Sequence, residues 1–189
     1  MIISKTFKYR LYPTSGQKTR LKRTLALCCR VYNDTLSLRK DSWEQEHKSL
    51  SLYDTNKVLT AWKTEQPELS EVHSQVLQQV QERVDLAFKA FFRRVKSGED
   101  PGYPRFKSIS RYDSFTFKQF GFSLKDDHLS LSKIGNIRVN LHRLICGKVK
   151  TLTIQRDRLG KWYACFSCEV ETEPLPLSTE MVGVDLGLT

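Results

Sequence analysis

The segment Ile2-Ile3-Ser4-Lys5-Thr6-Phe7-Lys8-Tyr9-Arg10-Leu11-Tyr12 decides the fold. Ile3, Phe7, Tyr9 and Leu11 fall on one parity, while Lys8, Arg10 and Tyr12 fall on the other. A period of two is the mark of a half-buried strand. Pro13 ends the run, and Thr14 stands three residues before Gln17, the spacing of a capping box. The strand therefore leads directly into a helix. A lone strand leaves its ladder groups unpaired, so this one needs partners. Strand-like runs recur only after residue 113. The expected architecture is α+β: a small β-barrel, built from residues 1–13 and 110–175, with a helical block inserted between its first strand and the rest.

The inserted block, residues 14–109, shows helical spacing. Leu21, Leu25, Cys28 and Tyr32 recur every three or four residues and predict a helix to about residue 46. A weaker segment over 54–64 places Val58, Leu59 and Trp62 on one side, and Pro67 interrupts it. Ser70 is the expected N-cap of the strongest helix, whose stripe is Val76, Leu77, Val80, Val84, Phe88, Phe91 and Val95. Gly98 suits its C-terminal stop. Phenylalanines at this spacing point to helix packing rather than base stacking.

Residues 99–113 hold two prolines and a basic cluster, which is a loop signature. Phe115 and Phe117 share one parity, and Phe120 and Phe122 the other, which predicts a bulge near Lys118–Gln119. Further strands are expected near 128–132, 136–141, 148–156 and 161–171, punctuated by Gly121, Gly135, Gly147 and Gly160.

Charge is unevenly distributed along the 189 residues. Residues 1–33 sum to +8, 34–100 to −2, 101–163 to +9 and 164–189 to −5, for a formal net charge of +10. Both basic blocks belong to the strands or their edges, so folding would join them into one surface. Clustered positive charge calls for a polyanion. Basic residues also sit beside aromatic ones, in 7–12, in Tyr103-Pro104-Arg105-Phe106-Lys107 and in Lys161-Trp162-Tyr163. Cations neutralise phosphates and exposed rings stack on unpaired bases. On a strand, however, some of those rings would face the core instead.

Other chemistries find less support. Cys165 and Cys168 have CxxC spacing, but residues three apart on a strand face opposite ways, and zinc needs four converging ligands. Packed thiols are the better reading. The five cysteines form no disulfide framework, which suits a reducing compartment. The four histidines form no short-spaced cluster, and neither a GxSxG nor a P-loop is present. No apolar run approaches the roughly 20 residues of a membrane span, and a cytoplasmic location is expected.

The final run Gly183-Val184-Asp185-Leu186-Gly187 places an acid inside an apolar strand-like stretch. A buried lone carboxylate is costly and usually meets a metal or a phosphate. The pattern suits the first strand of a ribonuclease H-like sheet, and equally the first phosphate motif of actin- and Hsp70-like ATPases. An edge-strand Asp facing water is the plainer alternative.

Taken in order, several stretches resemble the TnpB (OrfB) proteins of bacterial insertion sequences, relatives of type V CRISPR effectors. They are Lys8-Tyr9-Arg10-Leu11-Tyr12-Pro13 with Gln17; Arg30-Val31-Tyr32-Asn33; Leu77-Gln78 through Ala87-Phe88 and Phe91-Phe92; Gly102-Tyr103-Pro104-Arg105-Phe106-Lys107; Gly160-Lys161-Trp162-Tyr163-Ala164; and Gly183 to Gly187. The resemblance implies a wedge barrel, a helix-turn-helix-like recognition insertion, and residues 180–189 as the start of a RuvC-like nuclease domain. It implies an RNA-guided DNA endonuclease whose partners are a guide RNA from the transposon end and double-stranded DNA beside the target.

By this resemblance Asp185 matches the first RuvC carboxylate. The other catalytic acids and the family's zinc element would lie past residue 189. Two-metal hydrolysis needs several carboxylates together, so these residues alone are not expected to cut DNA. No cofactor is expected in this chain, and Mg²⁺ is implied only for a complete family member. Tyr53, Gln78 and Thr116 match the surface that reads the adjacent DNA motif, with Lys57 and Ser74 nearby. Lys5, Lys8, Arg10, Arg30, Arg105 and Lys107 are the expected backbone contacts. A stand-alone, non-cleaving regulator and a pseudogene relic remain alternatives to a nuclease part.

Overall fold

The computed structural model describes residues 1–172 and 183. The N-terminal segment forms strand β1 (Ile2–Tyr12), with Phe7, Tyr9 and Leu11 buried. Helix α1 (Ser15–Glu46) follows, opened by the Thr14–Gln17 capping box. Gln17 and Arg20 also donate to the carbonyls of Asn136 and Ile134, the latter at 3.0 Å, which ties the start of the helix to the barrel. Helix α2 (Leu52–Glu65) has a second capping box, Ser51 with Asp54. Helix α3 (Ser74–Ser97) ends at Gly98, whose φ of 71° is the left-handed cap geometry that glycine adopts without strain.

The N-cap of α3 differs from the sequence expectation. It is His73, with no side-chain cap hydrogen bond. Ser70 instead lies in a 3-10 helix, Pro67–Glu71, that starts on proline. The turn buries Leu69, and Val72 just after it is buried too. Burial of these apolar side chains sets the path of the chain here, ahead of local capping preference.

The strands are β2 (Ser114–Phe117), β3 (Phe122–Lys125), β4 (His128–Leu131), β5 (Gly135–Asn140), β6 (Lys148–Arg156) and β7 (Trp162–Glu171). They form one antiparallel sheet in the order β2-β6-β7-β1-β5-β4-β3. Strand β1 lies inside it. It pairs with β7 from Ile2↔Glu171 to Leu11↔Trp162, and with β5 from Arg10↔Asn140 to Tyr12↔Arg138. The helices are thus inserted between the first strand and its partners.

The bulge expected near Lys118–Gln119 is not what forms. Strand β2 ends at one edge of the sheet, and the chain re-enters at the opposite edge as β3. The parity change of the phenylalanines marks two strands, not one irregular strand. The sheet curls into a nearly closed barrel that brings these edges together, with the Phe117 and Phe122 rings 6.1 Å apart. Gln75 of α3 spans the crossing by accepting from the Gln119 and Phe120 amides at 3.4 and 3.1 Å.

Helices and barrel share one core. Val76, Leu77, Val80, Val84 and Phe88 of α3 belong to the same buried cluster as Phe115, Phe117, Leu152, Ile154 and Phe166 of the sheet. The stripe of α3 outlasts that core, since Val95 is half exposed. Gly147 precedes β6 with φ 83°, and a Cβ there would stand 2.2 Å from the Glu169 carbonyl oxygen. Only glycine lets these two backbones approach so closely.

Candidate nucleic-acid interface

Strand alternation turns Lys8, Arg10 and Tyr12 to the outer face of β1, and the β7 register sets Tyr163 opposite Arg10. The Lys8 Nζ lies 4.4 Å from the Tyr163 ring centroid. The Arg10 guanidinium lies 5.2 Å from Tyr163 and 5.7 Å from Tyr12. Such contacts are worth about 0.5–1 kcal/mol each at exposed sites, enough to order the cations without neutralising them. Neither cation pairs with an acid among the described residues. Arg10 Nη1 also has no hydrogen-bond partner among them. The face presents fixed, unspent positive charge beside aromatic surface.

Lys5 does not join this pair. It shares the parity of Phe7, Tyr9 and Leu11 and stays exposed near the start of the strand, with Nζ 5.5 Å from the Phe7 ring. Strand parity separates it from Lys8 and Arg10.

Arg105 and Lys107 are exposed on a loop held at both ends. Upstream, the Tyr103 ring meets Phe88 and Phe91 edge-on at 5.7 and 5.3 Å, and Arg94 donates to the Gly102 carbonyl at 3.2 Å. Downstream, Asn33 of α1 grips the Lys107 backbone. Its Oδ1 accepts from the amide at 2.8 Å and its Nδ2 donates to the carbonyl at 2.9 Å. The Cys29 thiol donates to the same carbonyl at 3.3 Å. Between these anchors, Arg105 and half-exposed Phe106 face solvent. Asn33 belongs to the Arg30–Asn33 stretch of the sequence, but its part in orienting the loop depends on a contact across 74 residues.

The remaining predicted residues fall into two groups. Arg30 is committed in part, since its Nη1 bonds Glu68 at 3.0 Å and joins α1 to the 3-10 turn. Thr116 is buried under α3. Its hydroxyl accepts from Arg83 Nη2 at 2.9 Å and shares a 2.8 Å hydrogen bond with Thr153, while Arg83 Nη1 holds the Ser114 carbonyl. A direct base contact from Thr116 would have to displace Arg83, a residue that no motif singles out. Arg83 borders the apolar stripe beside Val84, and that position was the available signal.

Tyr53, Lys57, Ser74 and Gln78 are all exposed. Lys57 Nζ lies 4.4 Å from the Tyr53 ring, and Ser74 accepts from Lys63 at 2.8 Å. Gln81 donates to the Thr55 carbonyl at 2.8 Å, so α2 and α3 run antiparallel with Gln78 between the two pegs. These four are therefore set on neighbouring helices, away from the β1–β7 face.

Cys165 and Cys168 sit on opposite faces of β7, the first half-buried and the second in the core. Burial pushes both thiols up from their ordinary pKa. Among the described residues no group of three or more His, Cys, Asp or Glu could hold a metal ion. Asp185 lies outside the described residues, as does most of 180–189. Among the described residues no helix is long and apolar enough to cross a membrane.

Known proteins share this sequence and fold. A family model described as a helix-turn-helix domain, HTH_OrfB_IS605, matches residues 1–48. Here that stretch folds as β1 and the unbroken α1. A putative RNA-guided DNA endonuclease of Streptomyces pristinaespiralis is 34% identical over 99% of this chain and 47% of its own length. The putative RNA-guided DNA endonuclease InsQ of Escherichia coli (strain K12) is 32% identical over 96% of this chain and 45% of its own. The chain thus spans about half the length of these curated relatives. In solved structures, the fold matches Cas12f1 in its complex with sgRNA and target DNA, with a TM-score of 0.52 and 14% identity, over 90% of this chain and 49% of that one. Over the length that it spans, this chain is a member of the TnpB/OrfB family of insertion-sequence proteins.

Proposed function

We propose that these residues form the nucleic-acid-holding part of a TnpB-type RNA-guided DNA endonuclease. The observation that carries this is the β1–β7 face, where Lys8 and Arg10 are ordered by tyrosine rings and paired with no acid among the described residues. Fixed cations at a sheet surface neutralise phosphates with little loss of side-chain freedom. Lys8 is exposed and offers its ammonium to a phosphate, whereas Arg10 Nη1 is buried without a hydrogen-bond partner among the described residues. The anchored Arg105–Lys107 loop supplies a second contact, and Tyr163, Tyr12 and Phe106 supply surfaces for unpaired bases. RNA from the transposon end is the proposed ligand of this face. Duplex DNA beside the target is the proposed ligand of the α2–α3 face, where Gln78 could read adenine and Lys57 and Tyr53 could line the approach.

DNA cleavage is assigned to no described residue, because no described cluster could hold Mg²⁺. If Asp185 has the role that the resemblance implies, it supplies one carboxylate of a site that needs several.

The test is RNA binding by this chain. A Lys8→Gln/Arg10→Gln variant should bind transposon-end RNA more weakly at every salt concentration. Its plot of log affinity against log salt should flatten by roughly 1–2, since each phosphate left unneutralised on a single strand lowers the slope by about 0.7. Unchanged affinity and slope would remove the β1–β7 face from the interface.

A further inference from the structure

Five cations from three distant parts of the chain line one groove at the end of the barrel. Lys18 and Lys22 come from the first turns of α1, Arg111 from the 3-10 helix Ile109–Arg111, and Arg156 and Arg158 from the β6–β7 hairpin. The groove measures about 950 Å³. Two acids line it. Asp157 is spent on the hairpin itself, accepting from the Lys161 amide at 2.7 Å and from the Tyr163 hydroxyl at 3.3 Å. Asp113 is the other, and its backbone carbonyl accepts from the Arg156 amide at 2.8 Å.

Part of the fold's basic complement is neutralised locally, and the groove cations are not in that part. Arg23, Arg30, Arg39, Lys40, Lys89, Lys118, Arg138 and Lys150 are each neutralised by a nearby carboxylate. None of the five in the groove is so paired among the described residues. Against the two acids the five cations leave the groove a formal excess of +3, and concave, low-dielectric walls concentrate the resulting field. Folding keeps them there although α1 and the hairpin are separated by more than a hundred residues.

The groove also adjoins the β1–β7 face. Tyr163, whose ring orders Lys8 and Arg10, reaches Asp157 in the groove wall through its hydroxyl. We propose that the groove lined by Lys18, Lys22, Arg111, Arg156 and Arg158 is a second track for a nucleic-acid phosphate backbone, continuing round the end of the barrel from the Lys8–Arg10 face. The ligand chemistry is a run of phosphodiesters. The one aromatic lining residue, Trp162, is buried in the core and offers no exposed ring for stacking, so the groove senses the path of the strand rather than the sequence. This inference rests on the reading of the β1–β7 face as a nucleic-acid surface.

The experiment uses the full chain and two probes, a transposon-end RNA and a DNA duplex of equal length. Affinities are measured from 50 to 300 mM salt for the wild type, a Lys22→Gln/Arg111→Gln/Arg156→Gln variant and the Lys8→Gln/Arg10→Gln variant. Removing three phosphate-neutralising cations should flatten the salt plot by about 2 on single-stranded RNA and slightly more on duplex DNA. Affinity near 0.1 M salt should fall by about ten- to a hundredfold for the probe that uses the groove. A weaker RNA complex, a weaker DNA complex or both would support the groove and identify its source of phosphate.

A Lys22→Gln/Arg158→Gln variant, exposed at both positions, guards against misfolding and should show a smaller loss in the same direction. Wild-type affinity and slope in both groove variants, alongside a weakened Lys8→Gln/Arg10→Gln protein, would overturn the groove while leaving the β1–β7 face intact. A wild type that binds neither probe would overturn both.

Discussion

The contact that holds the basic loop in register begins with one buried ion pair. Asp85 of α3 accepts from Arg39 of α1 at 3.0 Å, and the two side chains are only 9% and 10% exposed. Lys89 reaches the other carboxylate oxygen at 2.8 Å but is 70% exposed, so it contributes little to stability. The Arg39 guanidinium also covers the Phe88 ring at 4.3 Å, and Phe88 in turn receives Tyr103. Asp85→Ala would leave the Arg39 charge buried and unpaired, a loss of about 3–5 kcal/mol. A chain of this size loses about 2–4 °C of Tm per kcal/mol, so Tm should drop by about 6–20 °C. A volume-filling Arg39→Met/Asp85→Leu double variant removes both charges together and should recover most of that loss.

The pair also sets a pH dependence. Burial alone would raise the Asp85 pKa, but hydrogen bonds from Lys89 and Arg39 hold it below the usual carboxylate value. A carboxylate depressed in the folded state adds stability that is fully present above its unfolded pKa of about 3.9. That stability disappears as pH falls through the folded value. The gap in Tm between wild type and Asp85→Asn should therefore be constant near neutrality and close only in acid. Thermal unfolding followed by circular dichroism measures both effects. A Tm change under about 2 °C for Asp85→Ala, or a double variant as unstable as the two single losses added, would refute the reasoning.

Other consequences follow from single contacts. Gly147→Ala places a Cβ against the Glu169 carbonyl at a left-handed φ; a loss of at least about 1–2 kcal/mol is expected from the backbone conformation alone, readable in urea unfolding. Asn33→Ala removes both hydrogen bonds to the Lys107 backbone; it should cost about 1–3 kcal/mol and raise amide exchange across 103–107 before it changes the helices. Burial pushes the Cys28 thiol up to about 12, whereas Cys146 is exposed. A thiol reagent at pH 8 should therefore modify Cys146 in the native protein and reach Cys28 only on unfolding; rapid native labelling of Cys28 would contradict the α1 packing.

Much of the chain's local structure is determined by the sequence alone. Alternation makes 2–12 a strand, the Thr14–Gln17 box starts α1, and Gly98 stops α3, because period and capping are properties of neighbouring residues. The insertion was legible for a similar reason, since a strand without nearby partners must find them later in the chain. The uneven charge and the order of the motifs were also enough to point to nucleic acid and to the family.

Other features exist only in the folded molecule. Phe115 to Phe122 could not reveal that β2 and β3 occupy opposite edges, because pairing partners are chosen by closure of the sheet. Local capping preference at Ser70 yielded to burial of Leu69 and Val72. Thr116 and Lys5 were grouped with exposed contacts, yet Arg83 covers one and strand parity turns the other away from Lys8 and Arg10. Above all, which cations keep their charge unspent depends on where the acids come to lie. Only the tertiary structure brings Lys18, Lys22, Arg111, Arg156 and Arg158 to one groove and pairs eight other cations with carboxylates, because ion pairing acts through space, across separations that sequence order does not record.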